Sequence, residues 1–321
     1  MTVERRLAEV AESHDEEALV SWLEKRYGAA DDLEVGIGDD AAVMRCAPGG
    51  RLALKIDQVT EGVHFKKGES PERIGYKALA RSLSDLAAMG ARPRTALIGL
   101  SVPRDWSLED CQKLYLGMEP LLEKFGVSIA GGDINTGSNG LVIGTTVIGE
   151  VGQRPILRSG ATPGEQIFVT GPLGGSLLGK HLDFEPRVEE GLHLERYYEV
   201  GAMMDLSDGL GIDLSRLLRA SGVGAEIREE WIPISDAARV VAARDGRSAV
   251  AHALGDGEDF ELLFTLHPNE ALRLESDSER WFPVHRIGTI LEELGCWMEH
   301  TSGQRVPLEP QGWAHRLGPG R

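Results

Sequence analysis

The chain has 321 residues, 41% hydrophobic and 26% charged, with a net charge of −17. It is long enough for two domains, each with its own core, and without a basic run to offset the acidity it suits neither nucleic acid nor an anionic membrane. Cys46, Cys111 and Cys296 are odd in number and lack metal-ligand spacing, which fits a reduced, cytoplasmic compartment; Met1–Val10 is charged and helical in pattern rather than a signal peptide, and no apolar run approaches the ~18 residues needed to span a bilayer.

Leu7, Val10, Leu19 and Leu23 recur at helical spacing, so helices are expected between Glu4 and Tyr27. Strands follow at Ala41–Arg45 and Arg51–Ile56, with Ala47-Pro48-Gly49-Gly50 as the turn between them. Pro71–Met89 reads as a helix, with proline near its start and Gly90 at its end. Arg94–Val102 is a predicted strand, Leu108–Phe125 a helix, Val127–Ala130 a short buried strand, and Leu141–Val151 a long strand. Arg158 to Gly164 breaks the pattern, which sets a domain boundary near Val151 to Thr162. The second half opens with strand Gln166–Thr170, a glycine-rich loop and a helix from Gly175. Ala202–Met204, Phe260–Leu266 and Val284–Ile290 read as strands, Leu210–Ala220 as a helix, and the tail from Gly312 to Arg321 as irregular. Strands alternating with helices in both halves give an α/β (α+β) chain, divided into residues 1–151 and 152–321.

Six short acidic strings stand out against this background. They are Gly38-Asp39-Asp40-Ala41, Lys55-Ile56-Asp57, Leu83-Ser84-Asp85-Leu86, Gly131-Gly132-Asp133, Asp205-Leu206-Ser207-Asp208-Gly209 and Gly257-Glu258-Asp259. Glycine lets a phosphate approach the backbone, and carboxylates with few basic neighbours suit hard cations such as magnesium. Any one string has a plain alternative in turn chemistry. Only one of Asp39 and Asp40 is expected to face a given site, because strand side chains alternate. Asp85 lies on a partly apolar helix face, where an acid is costly unless paired or metal-bound; a bond to Arg81 one turn away is the structural alternative. Gly131-Gly132-Asp133 follows a strand, at the kind of position where α/β ligands collect. Asp205 and Asp208 both precede a helix, and capping would need only one of them.

Gly174-Gly175-Ser176-Leu177-Leu178-Gly179-Lys180 matches the first seven positions of a phosphate-binding P-loop, but His181 stands where Ser or Thr should hold magnesium, so that reading is set aside. No Ser/His/Asp or Cys/His arrangement is visible, and His64 is the one histidine within a dense motif, Thr60-Glu61-Gly62-Val63-His64-Phe65. Many acids, many glycines and no general base favour phosphoryl transfer to an acceptor that is already an anion. Metal ions then relieve the repulsion between the two polyanions.

The strings, taken in order with Tyr76–Pro93, resemble the thiamine-monophosphate kinase family from Gly36 to His315. The resemblance implies an N-terminal α/β domain that binds ATP and metal and forms a homodimer, followed by a C-terminal α/β domain. It implies that Asp40, Asp57, Asp85, Asp133, Asp205 and Asp208 hold several magnesium ions. Gly132, Asp133, Arg158 and Ser207 would contact the co-substrate ATP, and His64, Glu258 and Trp313 would contact thiamine monophosphate. Lys55 and Ile56 replace hydroxyl residues usual in the family, but metal can still be met there by a backbone carbonyl, which does not depend on residue type. Three further departures are Ile134-Asn135 after Gly-Gly-Asp, Asp256 before Gly257, and Ala314 before His315. The expected activity is conversion of thiamine monophosphate to thiamine diphosphate. The alternatives are a superfamily member acting on another phosphorylated small molecule, or a nucleotide-binding protein with altered catalysis. Selenophosphate synthesis would need a cysteine near the N-terminus, and a carbamoyl-dehydrating role would need one within Leu317–Arg321; neither is present.

Overall fold

The computed structural model describes residues 33–36, 39–46, 50–137 and 139–313. The expected helices in Glu4–Tyr27, most of the turn at 47–50 and the tail beyond Trp313 lie outside the described residues.

Strands β1 (Leu33–Val35), β2 (Ala42–Cys46), β3 (Gly50–Thr60), β4 (Ala91–Val102), β5 (Ser128–Thr136) and β6 (Val142–Val151) form one sheet in the order β1-β2-β3-β6-β4-β5. In β6, buried and partly exposed residues alternate, so one face meets the core while the other stays open. On the core side lie helices α1 (Pro71–Ala88) and α2 (Leu108–Phe125). Ser70 caps α1 by accepting from the Arg73 amide, with Pro71 at the first turn. Ser107 and Asp110 form a reciprocal capping box on α2, which ends at left-handed Gly126.

A second sheet has the order β13-β12-β9-β11-β7-β10-β8. Its strands are β7 (Gln166–Val169), β8 (Val200–Asp205), β9 (Gly224–Arg228), β10 (Leu262–Leu266), β11 (His285–Leu291), β12 (Cys296–Glu299) and β13 (Arg305–Pro307). Helices α3 (Lys180–Asp183), α4 (Val188–Tyr197), α5 (Leu210–Ser221), α6 (Asp236–Asp245), α7 (Ala249–Gly255) and α8 (Pro268–Ser276) accompany it. Most pairings in both sheets are antiparallel; β4·β5 and β9·β12 are parallel. The chain is thus of the mixed α/β class.

Helix α1 is the central element. It packs against β3, β4 and β6 of the first sheet, against α2 and α4, and against β8 of the second sheet. Ser82 to Met89 are buried without a break, so its second half has no solvent face. Small residues permit this closeness. A Cβ on Gly75 would sit 1.9 Å from the Leu114 carbonyl oxygen, and one on Gly117 would sit 1.9 Å from that of Glu72.

Three expectations need correction. The strand read as buried Val127–Ala130 is β5, which continues through Gly131-Gly132-Asp133 as an exposed edge strand. The helix expected from Gly175 is a single 3-10 turn, Ser176–Leu178, then the one-turn α3, because Gly179 adopts φ 144° between them. The strand expected from Phe260 starts at Leu262, since Phe260 has φ 51° and cannot continue a ladder.

The α1–α2 contact yields a test. Alanine normally favours a helix over glycine by about 1 kcal/mol. At Gly117 the added methyl meets backbone, and overpacking typically costs about 1–3 kcal/mol. Gly117→Ala is therefore expected to lower the urea midpoint; an unchanged or raised midpoint would show that the helices can separate freely.

Candidate active site

Three acids from distant segments meet beside α1. Asp40 precedes β2, Asp85 lies on α1 and Asp205 ends β8. One carboxylate oxygen from each lies within 4.8 Å of the others, and all three residues are buried. Burial raises the Asp85 carboxyl well above its ordinary range, with Asp57, Asp205 and Asp40 adding to the shift against the pull of Lys55. Burial, then Asp40, push Asp205 up to about 6, although Ser84 Oγ donates to it at 2.6 Å. Oxygen donors crowded in this way favour a hard cation.

A side-chain cation already stands there. Lys55 Nζ lies 2.8 Å from Asp85 and 3.7 Å from Asp57. Burial alone would lower its pKa, but Asp85 and Asp57 more than offset that, so the ammonium stays charged. The plain alternative for Asp85, a bond to Arg81, is not what forms: its partner is Lys55, brought by β3 across the face of α1. Arg158 closes the opposite side. Its Nε and Nη2 donate to the two Asp40 oxygens at 2.9 and 2.8 Å, and its amide donates to Asp39 at 3.1 Å. Asp40 therefore faces the cluster while Asp39 anchors the backbone, so one of the two acids faces the site, although both precede the strand rather than lie on it.

A second centre is formed around Glu258. Lys77 Nζ, fully buried, approaches Glu258 at 2.8 Å, and donates to the His64 carbonyl at 2.6 Å. His181 Nδ1 lies 3.1 Å from Glu258. Burial lowers the Lys77 pKa to about 8 despite Glu258. Glu258 itself has φ 54°, a strained value for a side-chain-bearing residue, and its amide donates to the Ser207 carbonyl at 2.7 Å. The Trp313 amide donates to the Asp208 carbonyl at 2.9 Å. Ser207, Asp208, Glu258, His64 and Trp313 are thereby linked, directly or through Lys77.

The other anticipated residues lie further out. Asp57 borders the cluster through Lys55, but Asp57, Asp133 and Asp208 do not belong to the three-acid set. Asp208 pairs with Arg216. The helix start after it is served by Asp213, whose Oδ2 accepts from the Asp208 and Gly209 amides at 2.9 and 3.1 Å, so neither Asp205 nor Asp208 caps α5. Gly132 and Asp133 lie on β5 and, with Ile56, Gln58 and Asn135, line a groove of about 490 Å³ on the open face of the first sheet. At the glycine-rich loop, the Gly174 amide donates to Asp259 and the Gly175 amide to Asp256, each with a 2.9 Å contact. Those amides are committed to carboxylates, a further reason to reject the P-loop.

Lys77, Arg81 and Ser84 were missed as site residues. With Asp85 they follow the spacing i, i+4, i+7, i+8, which places them along one face of α1. That stripe was readable in Tyr76–Pro93, but a lysine and an arginine one turn apart usually mark a solvated face.

Residues 38–151 match the AIR synthase related protein N-terminal domain, and residues 153–296 match the corresponding C-terminal domain. A thiamine-monophosphate kinase of Rhodopirellula baltica is 42% identical over 309 residues, covering 94% of this chain and 97% of that protein. This chain belongs to the thiamine-monophosphate kinase family. Another kinase of that name, from Aquifex aeolicus, is 34% identical over 303 residues, 87% of this chain and 92% of its own length. Among solved structures, AaThiL complexed with AMPPCP and TMP superposes with a TM-score of 0.82 at 30% identity, covering 95% of this chain and 98% of that one. Family membership agrees with the resemblance read from the acidic strings.

The crowded carboxyls make a pH prediction. The folded pKa of Asp205, about 6, lies above its ordinary 3.8. Its contribution to stability is therefore complete below the ordinary value and lost as the pH rises through about 6. In EDTA, Asp205→Asn is expected to gain in melting temperature relative to wild type between about pH 4.5 and about pH 7. A difference that stays constant over that range would contradict the repulsion assigned to the cluster.

Proposed function

We propose that this protein uses ATP to phosphorylate thiamine monophosphate, giving thiamine diphosphate by direct in-line transfer. The observation that carries this reading is the near full-length match to a solved ThiL complex holding an ATP analogue and TMP, from a family to which the chain belongs.

The donor chemistry fits magnesium, because three buried carboxylates offer oxygens within 4.8 Å of one another. Asp40, Asp57, Asp85, Asp133, Asp205 and Asp208, with the backbone carbonyls of Lys55 and Ile56, would hold the ions. Bound magnesium supplies positive charge against the phosphates of both substrates. Gly132, Asp133, Arg158 and Ser207 are assigned to ATP. For Arg158 this means sharing its guanidinium between Asp40 and a phosphate. His64, Glu258 and Trp313 are assigned to the acceptor, where the half-exposed Trp313 offers an aromatic face to a cationic ring. No general base is required, since the attacking phosphate oxygen is already anionic. Residues 1–151 would carry ATP, metal and the dimer contact, and residues 152–321 would form the C-terminal domain. Among the described residues no helix is long and apolar enough to cross a membrane, and a cytoplasmic location fits the free cysteines.

One observation favours a second reading, a nucleotide-binding protein with altered catalysis: Lys55 already places an ammonium in the carboxylate cluster. Formation of thiamine diphosphate from ATP and thiamine monophosphate decides between them. Turnover is expected with magnesium and not in EDTA. Asp133→Asn and Asp208→Asn are each expected to lower kcat on the order of 100-fold or more with melting temperatures close to wild type. Wild-type rates in EDTA, or near-normal rates in both variants, would defeat the metal-assisted mechanism.

A homodimer is part of the proposal. Ile56, Leu97 and Ile134 are exposed by 62%, 41% and 58%, and among the described residues β5 pairs on one side only; both features are liabilities in a monomer. Light scattering at micromolar concentration is expected to give twice the 34.8 kDa chain mass, and a monomeric mass would remove this assignment.

A further inference from the structure

Arg81 stands between the two centres and keeps a buried N–H donor that no neighbour accepts. On one side Glu258 already receives Lys77 at 2.8 Å and His181 at 3.1 Å. Arg81 Nη1 is 3.6 Å from the same carboxylate, beyond hydrogen-bonding distance. On the other side, one turn further along α1, Ser84 and Asp85 reach into the carboxylate cluster, with Oγ of Ser84 2.6 Å from Asp205 and Asp85 2.8 Å from Lys55. The guanidinium carbon lies 5.8 Å from the centre of the Phe260 ring, which helps to fix it. Its Nε is buried and has no hydrogen-bond partner. A buried donor left unmade is costly, and such groups in folded proteins usually have a purpose.

We propose that Arg81 binds the phosphate group of the acceptor, taking its oxygens between Glu258 and the carboxylate cluster. A guanidinium presents several N–H donors in one plane, a shape that matches phosphate oxygens and that an ammonium lacks. Position supports the same assignment. An acceptor held at its ring end by His64, Glu258 and Trp313 would direct its phosphate toward the carboxylate cluster, and on α1 Arg81 stands one turn after Lys77, which meets Glu258, and one turn before Ser84 and Asp85, which meet the cluster. Its side chain is 16% exposed, so a ligand can reach it. The inference rests on the thiamine monophosphate reading and deepens it.

The test compares a ligand with its phosphate-free counterpart. Wild type, Arg81→Gln and Arg81→Lys are titrated by calorimetry with thiamine monophosphate and with thiamine, in magnesium. KM values for both substrates are measured on the same proteins. Arg81→Gln is expected to weaken thiamine monophosphate binding about 10- to 100-fold, the range for hydrogen bonds to a charged group, while thiamine changes less than about twofold. Arg81→Lys should recover part of the loss, and KM for ATP should hold. Equal weakening of both ligands would make Arg81 a packing residue on Phe260, and undiminished thiamine monophosphate binding would exclude it from the site; either overturns the proposal. Wild-type protein that binds thiamine monophosphate without making thiamine diphosphate would strike the functional reading alone, with the binding ratio still deciding Arg81. Wild type that does not bind it would overturn both.

Discussion

Like charges forced together inside a protein must be offset, and that constraint organises this molecule. Asp40, Asp85 and Asp205 converge in a buried space, where burial first, with Asp40 adding to it, raises the cost of ionising Asp85 and Asp205. Two side chains offset part of that cost. Lys55 reaches Asp85 from the first sheet. Arg158, which precedes the second sheet, grips Asp40 with both arms of its fork. Breaking a buried pair of this kind typically costs about 3–5 kcal/mol, so the Arg158–Asp40 contact ties the approach to one sheet against the approach to the other. The remaining unmet charge is what makes the cluster receptive to cations.

Such a cluster needs a rigid support, and α1 provides it. The helix is enclosed by β3, β4, β6, α2, α4 and β8, and glycines let its neighbours come close. Besides the contacts at Gly75 and Gly117, a Cβ on Gly191 of α4 would sit 2.2 Å from the Ala87 carbonyl oxygen. With no room to roll, α1 directs Lys77 and Arg81 to one centre and Ser84 and Asp85 to the other. Helix spacing thereby sets the separation between the Glu258 centre and the carboxylate cluster.

What could be read from the sequence follows from the same physics. The acidic strings were legible because six of them recur in one chain, although any one alone is ordinary turn chemistry, and Asp40, Asp85 and Asp205 do meet. Periodicity also placed α1, α2 and α5 nearly to their ends, since their caps are local. Tertiary decisions were not legible. Lys77 and Arg81 resemble solvated helix residues until the second sheet closes over them. Asp213, not Asp205 or Asp208, serves the start of α5, a choice made by side-chain direction. β5 looked buried because Val127-Ser128-Ile129-Ala130 is apolar in part, yet it lies at a sheet edge with its residues mostly exposed among the described residues.

Strained backbone fixes where the Glu258 carboxylate points. Glu258 and Phe260 both hold positive φ, a conformation that side-chain-bearing residues resist and that persists only when the surroundings over-determine it. Here they do. Asp256 and Asp259, either side of Glu258, accept the Gly175 and Gly174 amides, and the Glu258 and Phe260 amides donate to Ser207 and Leu206. Burial keeps Asp259 near a pKa of about 7, so it is retained for these backbone contacts rather than for an exposed charge. The acids of this loop thus divide their tasks: Asp256 and Asp259 hold the backbone, and Glu258 is turned toward Lys77, His181 and Arg81. A run that looks uniform in sequence becomes one carboxylate facing Lys77, His181 and Arg81, held in place by two anchors.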